Sequence, residues 1–169
     1  MKKAVVAFGI ALLLFISACS NKNCSKTVCG YNQTCNNGQC YCVNGYEGDS
    51  CNKLSYPKFI GTYFTTATCS GPGGTSYTCY IQQGSTDVSQ LVIANFLGQF
   101  DLVGYIKSST DKKGTYLEIP QQGLGGSSDN TINGGGNFEV IGVQQRIQLN
   151  LNYRLSGSDY ACSHTLVKQ

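Results

Sequence analysis

The chain has 169 residues, with 12 Lys and Arg against 9 Asp and Glu, 21 Gly, 11 Tyr, 10 Cys and no Trp. This length accommodates one ordinary domain or two small ones, and a composition rich in Gly, Thr and Tyr but poor in charge favours strands over helices. The scattered bases make no stripe that could track a phosphate backbone, which argues against a nucleic-acid partner. Ten cysteines without paired Cys-x-x-Cys knuckles point to disulfides in an oxidising compartment, not to a cytosolic metal protein.

Met1-Lys2-Lys3 is a positive n-region, and Ala4 to Ile16 is an apolar stretch too short to span a bilayer. Ile16-Ser17-Ala18-Cys19 follows and resembles the bacterial lipobox. The resemblance implies a lipoprotein signal peptide over residues 1–18, cleavage before Cys19, and acyl chains such as palmitate on Cys19. The partner so implied is a membrane, and the location is the bacterial cell envelope. Ser20 in place of the Asp of inner-membrane retention implies the outer membrane and does not decide between its two faces, exposure at the cell surface being one of them. Residues 19–23 are then the lipidated cysteine and its tether. The four residues Ser20 to Asn23 reach at most about 14 Å, so the next unit stands close to the membrane.

That unit runs from Cys24 to Cys51 with the spacing C-x4-C-x5-C-x4-C-x-C-x8-C. Spacing alone leaves fifteen connectivities open. The pattern resembles an epidermal-growth-factor-like (EGF-like) domain, most specifically in Cys42-x-x-Gly45-Tyr46-x-Gly48-x-x-Cys51. The resemblance implies the pairs Cys24–Cys35, Cys29–Cys40 and Cys42–Cys51. So few apolar side chains lie between these cysteines that the unit needs its staples to fold. Asn36-Asn37-Gly38 is a hairpin turn signal. Calcium is not expected, because the leading Ser20-Asn21-Lys22-Asn23 has no carboxylate. No other cofactor is expected either. The sequon Asn32-Gln33-Thr34 is read as chance, and the unit as a stiff spacer.

After a connector over Asn52 to Tyr56, a second domain spans 57–169. Period-2 alternation dominates it, most clearly in Ile147-x-Leu149-x-Leu151-x-Tyr153-x-Leu155 with Gln148, Asn150, Asn152 and Arg154 between. Eight strands are predicted, over 58–68, 76–83, 89–96, 99–107, 114–119, 131–142, 144–156 and 159–167. The turn chemistry lies in Gly71-Pro72-Gly73-Gly74, Gln83-Gly84-Ser85, Asp111-Lys112-Lys113-Gly114 and Gly123 to Asn130. The predicted class is therefore all-β: an EGF-like domain followed by an eight-stranded antiparallel barrel, a lipocalin-like meander, with a β-sandwich as the alternative. Placing Cys69 opposite Cys162 sets Ala67 against His164, Thr65 against Leu166 and Tyr63 against Lys168, a consistent register for closing first strand on last. A Cys69–Cys162 disulfide with Cys79 buried and free is favoured; Cys69–Cys79 is the other arrangement. The order of lipobox, EGF-like unit, Lys58-Phe59-Ile60-Gly61-Thr62-Tyr63 and late Cys162 resembles a group of surface lipoproteins of Bacteroidota. That group brings no activity with it.

No catalytic residues are assigned. His164 stands two residues from Cys162, and a nucleophilic pair would need a free thiolate there. Asp101, Glu118 and Glu139 read as wet-face strand residues and not as a glycosidase pair. Gly123–126 and Gly134–136 lack the Lys-Ser/Thr of a phosphate loop. Tyr56, Tyr63, Tyr77, Tyr80, Tyr105, Tyr116 and Tyr153 are candidates for a surface that binds sugars or proteins, and equally ordinary strand formers. The expected function is non-enzymatic: an anchored envelope lipoprotein displaying a β domain to an extracellular protein or glycan. The alternatives are a lipocalin-like carrier of a small apolar ligand and an envelope enzyme or inhibitor.

Overall fold

A computed structural model describes residues 24–70, 74–108 and 115–169. The expected signal peptide, Cys19 and tether lie outside the described residues, as do Gly71-Pro72-Gly73 and the turn over 111–114.

The cysteine-rich unit consists of two small antiparallel ladders. Strand β1 (Gln33–Asn36) pairs with β2 (Gln39–Cys42), and β3 (Tyr46–Glu47) with β4 (Lys53–Leu54). Asn37 and Gly38 join β1 to β2 with φ of 50° and 81°, the positive pair that a type I′ turn needs. Three disulfides, Cys24–Cys35, Cys29–Cys40 and Cys42–Cys51, hold the unit together.

A four-residue helix, α1 (Tyr56–Phe59), follows, where the alternation predicted the start of a strand at residue 58. Pro57 explains the difference. It fits the first turn of a helix, where a missing N–H costs nothing, and cannot serve a ladder. The strand begins only at Gly61.

The remaining eight strands are β5 (Gly61–Cys69), β6 (Thr75–Gln83), β7 (Gln90–Phe96), β8 (Phe100–Ser108), β9 (Thr115–Gly123), β10 (Thr131–Ile141), β11 (Gln144–Leu155) and β12 (Ser158–Lys168). Each pairs antiparallel with the next, and β12 returns to β5, so the meander closes into a barrel. The closing register sets Cys162 opposite Cys69, His164 opposite Ala67, Leu166 opposite Thr65 and Lys168 opposite Tyr63. A Cys69–Cys162 disulfide clamps this seam, and Cys79 is buried as a free thiol.

Closure needs a special device between β8 and β9. The predicted strand 114–119 continues to Gly123 through Pro120, which has no N–H to give a ladder. The main-chain register with β8 covers only Tyr105↔Glu118 to Ser108↔Thr115. Beyond it the Gln122 carboxamide stands in for a peptide: Val103 N donates to its Oε1 at 2.9 Å, and its Nε2 donates to Val103 O at 2.7 Å.

The barrel has two distinct ends. The end of β5, the start of β6 and the β7–β8, β9–β10 and β11–β12 connections lie at the far end. The β6–β7 and β10–β11 connections, the end of β8, the start of β9, the end of β12 and the entry from α1 lie at the other, and the cysteine-rich unit sits there. Ser108 Oγ donates to Val43 O at 3.0 Å and to Tyr46 O at 3.2 Å, while Ser108 N donates to Asn44 Oδ1 at 3.2 Å. Gly45 approaches so closely that a Cβ there would lie 2.9 Å from Val88 Cγ2. Glu47 joins Lys58 and Lys53 in ion pairs. Phe59 of α1 is fully buried and packs on Phe138 of β10, with ring centroids 5.4 Å apart, so α1 closes this mouth of the barrel.

Inward residues fill the interior. Tyr63, Cys79, Leu91, Ile93, Phe96, Leu102, Ile106, Leu117, Ile147, Leu149 and Leu166 have no accessible surface. Such side chains border no void that a water molecule could enter. Gly104 makes room for this packing, since a Cβ there would meet Ile119 Cδ1 and Leu117 Cδ1, each at 2.9 Å.

Replacing Gln122 by Leu keeps the bulk of the side chain but leaves the Val103 amide and carbonyl without these partners. The expected loss is about 1–3 kcal/mol, read as a lower urea midpoint with unchanged m-value under non-reducing conditions.

Candidate binding groove

Two adjoining concavities lie over β10, β11, β12 and the end of β5, at the far end of the barrel. Their volumes are about 410 Å³ and 570 Å³, and they share Ser70, Asn152 and Ala161. The alternation that turns Leu149, Leu151 and Tyr153 inward turns Asn150 and Asn152 outward. On β12, Ala161 and Ser163 face out between buried Cys162 and His164. Thr131 and Asn133 of β10 extend the wall past the bulge between Ile132 and Gly134. Arg154 and Asp159 form a loose ion pair, 4.0 Å apart, at one rim, and Tyr160 stands beside them.

The floor is rigid for identifiable reasons. Ser70 continues the seam past the disulfide: its N donates to Ala161 O at 2.9 Å and its Oγ accepts from Ala161 N at 3.1 Å. Asn130 Oδ1 accepts from Ser156 N at 2.9 Å, tying the β9–β10 connection to the β11–β12 turn. Alongside, Gln148 donates to Ser163 Oγ at 2.7 Å and accepts from Thr165 Oγ1 at 2.8 Å. The surface is a set of amides and hydroxyls on fixed strands. Such groups both donate and accept, so they suit an uncharged ligand dense in hydroxyls.

The residues singled out in the sequence are distributed as follows. Glu118 pairs with Lys107 at 2.9 Å, Glu139 with Arg146 at 2.8 Å, and Asp101 Oδ1 accepts from Asn95 N at 3.1 Å. The three carboxylates do not converge. Gly134–136 form part of β10, pressed against β9 and β11: a Cβ on Gly136 would lie 1.7 Å from Gln148 O. Tyr80 and Tyr116 are exposed, Tyr56 packs against the core, and Tyr105 is half-buried. Tyr63, Tyr77 and Tyr153 point into the barrel and are not available as a surface. Among the described residues no group of three or more His, Cys, Asp and Glu side chains is placed to hold a metal ion. Nor is any helix there long and apolar enough to cross a membrane.

His164 is more than a strand side chain. It is fully buried under the far end, with Tyr77 OH 3.1 Å from Nδ1 and Tyr153 OH bonded to Nε2. The Phe96 ring lies 5.2 Å away, centroid to centroid. A neutral imidazole has one donor and one acceptor nitrogen, so each tyrosine hydroxyl can be matched; an imidazolium has two donors and no acceptor. Burial accordingly lowers the His164 pKa from 6.5 to about 4, and raises those of Tyr77 and Tyr153. Cys79, in contact with Thr65 Oγ1 at 3.4 Å, is also held protonated by burial. Within this cluster His164, Tyr153 and Cys79 are buried and Tyr77 is partly buried. The cluster's signal was legible: Tyr77 shares inward parity with Cys79, and Tyr153 with Leu151.

No protein-family model matches the chain, and no curated protein sequence matches it.

The buried imidazole gives a pH dependence with a definite sign. His164 takes up a proton near pH 6.5 when unfolded but only near pH 4 when folded. Its contribution is therefore intact above pH 6.5 and lost as pH falls towards 4, by on the order of 3 kcal/mol. Burial opposes ionisation of Glu47, but Lys58 and Lys53 hold its pKa below 4.5; hydrogen bonds from Ser89 hold that of Asp87 below 3.8. Those two contributions are lost only at lower pH. Urea midpoints between pH 4 and 8 should show the slope, and His164→Leu should flatten it.

Proposed function

We propose that the chain is a non-enzymatic, lipid-anchored protein of the bacterial cell envelope whose barrel presents the polar groove to an extracellular glycan. The observation that carries the reading is the lining of the groove. Asn150, Asn152, Asn133, Ser163 and Ser70 come from strands locked by the Cys69–Cys162 seam, and only Arg154 and Asp159 bring charge. Docking sites for proteins have cores enriched in aromatic residues. Here amides and hydroxyls dominate, and Tyr160 offers one ring against which the apolar face of a sugar can stack. The Ile16-Ser17-Ala18-Cys19 motif supports anchoring, and the three disulfides of the following unit suit an oxidising location.

A closed eight-stranded meander is compatible with a lipocalin-like fold. A carrier, however, needs a cavity, and this interior is occupied by its own Leu, Ile, Phe and Tyr side chains. The groove therefore supports the binding reading better than carriage of an apolar molecule.

Two outcomes are expected. An oligosaccharide array probed with the native protein should return hits that Asn150→Ala with Asn152→Ala weakens at least tenfold, about 1.4 kcal/mol, without lowering the urea midpoint. Binding unaffected by both changes would refute the groove as the site. Separately, Cys19→Ser should move the protein from the membrane fraction to the soluble fraction, and metabolic labelling with palmitate should disappear; retention in the membrane would count against the anchor.

A further inference from the structure

The hairpin between β10 and β11 outruns its neighbours. β9 last pairs with β10 at Asn137↔Tyr116, and β12 pairs with β11 no further than Arg146↔Val167. The ladder of the hairpin itself continues to Ile141↔Gln144. Among the described residues no strand flanks its last two pairs on either side, so the tip projects about 7 Å past β12. Gly142, with φ of 62°, turns the chain.

The composition of this projection is unusual for a surface. Val140, Ile141 and Val143 are all exposed, Val143 completely. Val140 and Ile141 are consecutive in a strand and point to opposite faces. Neither face of the tip is therefore reserved for water. Gln145 and Gln144 stand opposite them, so the six residues Val140 to Gln145 carry no charge. The Glu139–Arg146 ion pair, at 2.8 Å, marks where the uncharged part ends. A protein partner lying against one face would leave the other exposed. A medium that surrounds the tip satisfies both.

The position of the tip indicates that medium. It emerges from the end of the barrel on which the cysteine-rich unit sits, the unit that follows the Ile16-Ser17-Ala18-Cys19 motif by a few residues. That unit exposes two further apolar side chains, Val28 and Tyr31. Charge is distributed in the same sense. Every lysine among the described residues, Lys26, Lys53, Lys58, Lys107 and Lys168, belongs to the cysteine-rich unit or to this end of the barrel. With Arg146 they make six positive charges, which Glu47, Asp49, Asp87, Glu118 and Glu139 offset to a net of +1 among the described residues. The far end has Asp101, Asp129 and Asp159 against Arg154 alone. The far end carries a net of −2, so an anionic bilayer favours the first end over the second.

We propose that the β10–β11 tip enters the headgroup region of the bilayer as a second membrane contact beside the lipid anchor, fixing the barrel with its groove directed away from the membrane. The inference rests on the anchored reading above. Shallow burial of a few apolar side chains is weak alone and effective when added to acyl chains. The two strand pairs beyond β12 and the turn at Gly142 carry Val140, Ile141 and Val143 into the headgroup region and leave the Glu139–Arg146 pair at its edge.

The chain has no tryptophan, so Val143→Trp introduces a unique reporter at a fully exposed position, and Gln99→Trp a matched one in the exposed β7–β8 turn of the far end. Each lipidated full-length variant is reconstituted into vesicles of phosphatidylethanolamine and phosphatidylglycerol. The expected result is a blue shift and loss of iodide quenching for Val143→Trp, with Gln99→Trp unchanged. Flotation with the vesicles and equal quenching of both indoles would overturn the tip contact while leaving the anchor intact. Failure to float would overturn both. A shift that grows with the protein-to-lipid ratio would assign the tip to a second copy of the chain, and that also overturns the proposal.

Discussion

The pairing of β12 with β5 is the contact on which the rest of the structure depends. Every other ladder of the barrel joins strands adjacent in sequence. This one joins residues about a hundred positions apart, and its disulfide spans 93. Chain entropy opposes so long a loop, and the covalent bridge removes that cost from the folded side by constraining the unfolded chain. Once the seam is made, both edges of the sheet disappear and the inward faces of eight strands share one lumen. The same seam places Ser70 beside Ala161 and completes the floor of the groove.

Closure at the opposite side of the barrel is handled differently. Pro120 denies β9 a donor, and the Gln122 carboxamide supplies both a donor and an acceptor to Val103. A covalent clamp at one seam and a side-chain peptide mimic at another serve one requirement, that a closed sheet leaves no main-chain group unpaired. At the mouth, α1 does the equivalent work with apolar surface, since Phe59 and Tyr63 fill the space that a ligand would take in an open barrel. Tyr63 OH donates to Phe59 O at 2.7 Å, joining the plug to the wall.

These devices make the two ends chemically unlike. One end holds the cysteine-rich unit, the lysines and the projecting apolar hairpin. The other holds the acidic turns and the amide-lined groove. In the proposed reading this polarity is functional: a protein fixed to a membrane at one end displays its binding surface at the other. The cysteine-rich unit is then more than a spacer, because Ser108, Gly45 and Glu47 seat it on the barrel and pass its orientation to the groove.

The sequence by itself determined the strands, their order and the closing register. Alternation with period two is a local property, and a one-residue slip would put Leu149 and Leu151 in water. It also determined that Cys69 could face Cys162. Other features were decided only by tertiary structure. Tyr63, Tyr77 and Tyr153 are ordinary strand formers by propensity, and only closure shows that they share the lumen with His164. The helix at Tyr56–Phe59 was masked by an apolar run that suits a strand, until Pro57 and the open mouth of the barrel decided otherwise. The groove was invisible because its residues, Ser70, Asn133, Asn152 and Ala161, come from separate strands with no motif in common. Local periodicity tells each side chain which face it occupies; which side chains share that face across the barrel is fixed only when the last strand meets the first.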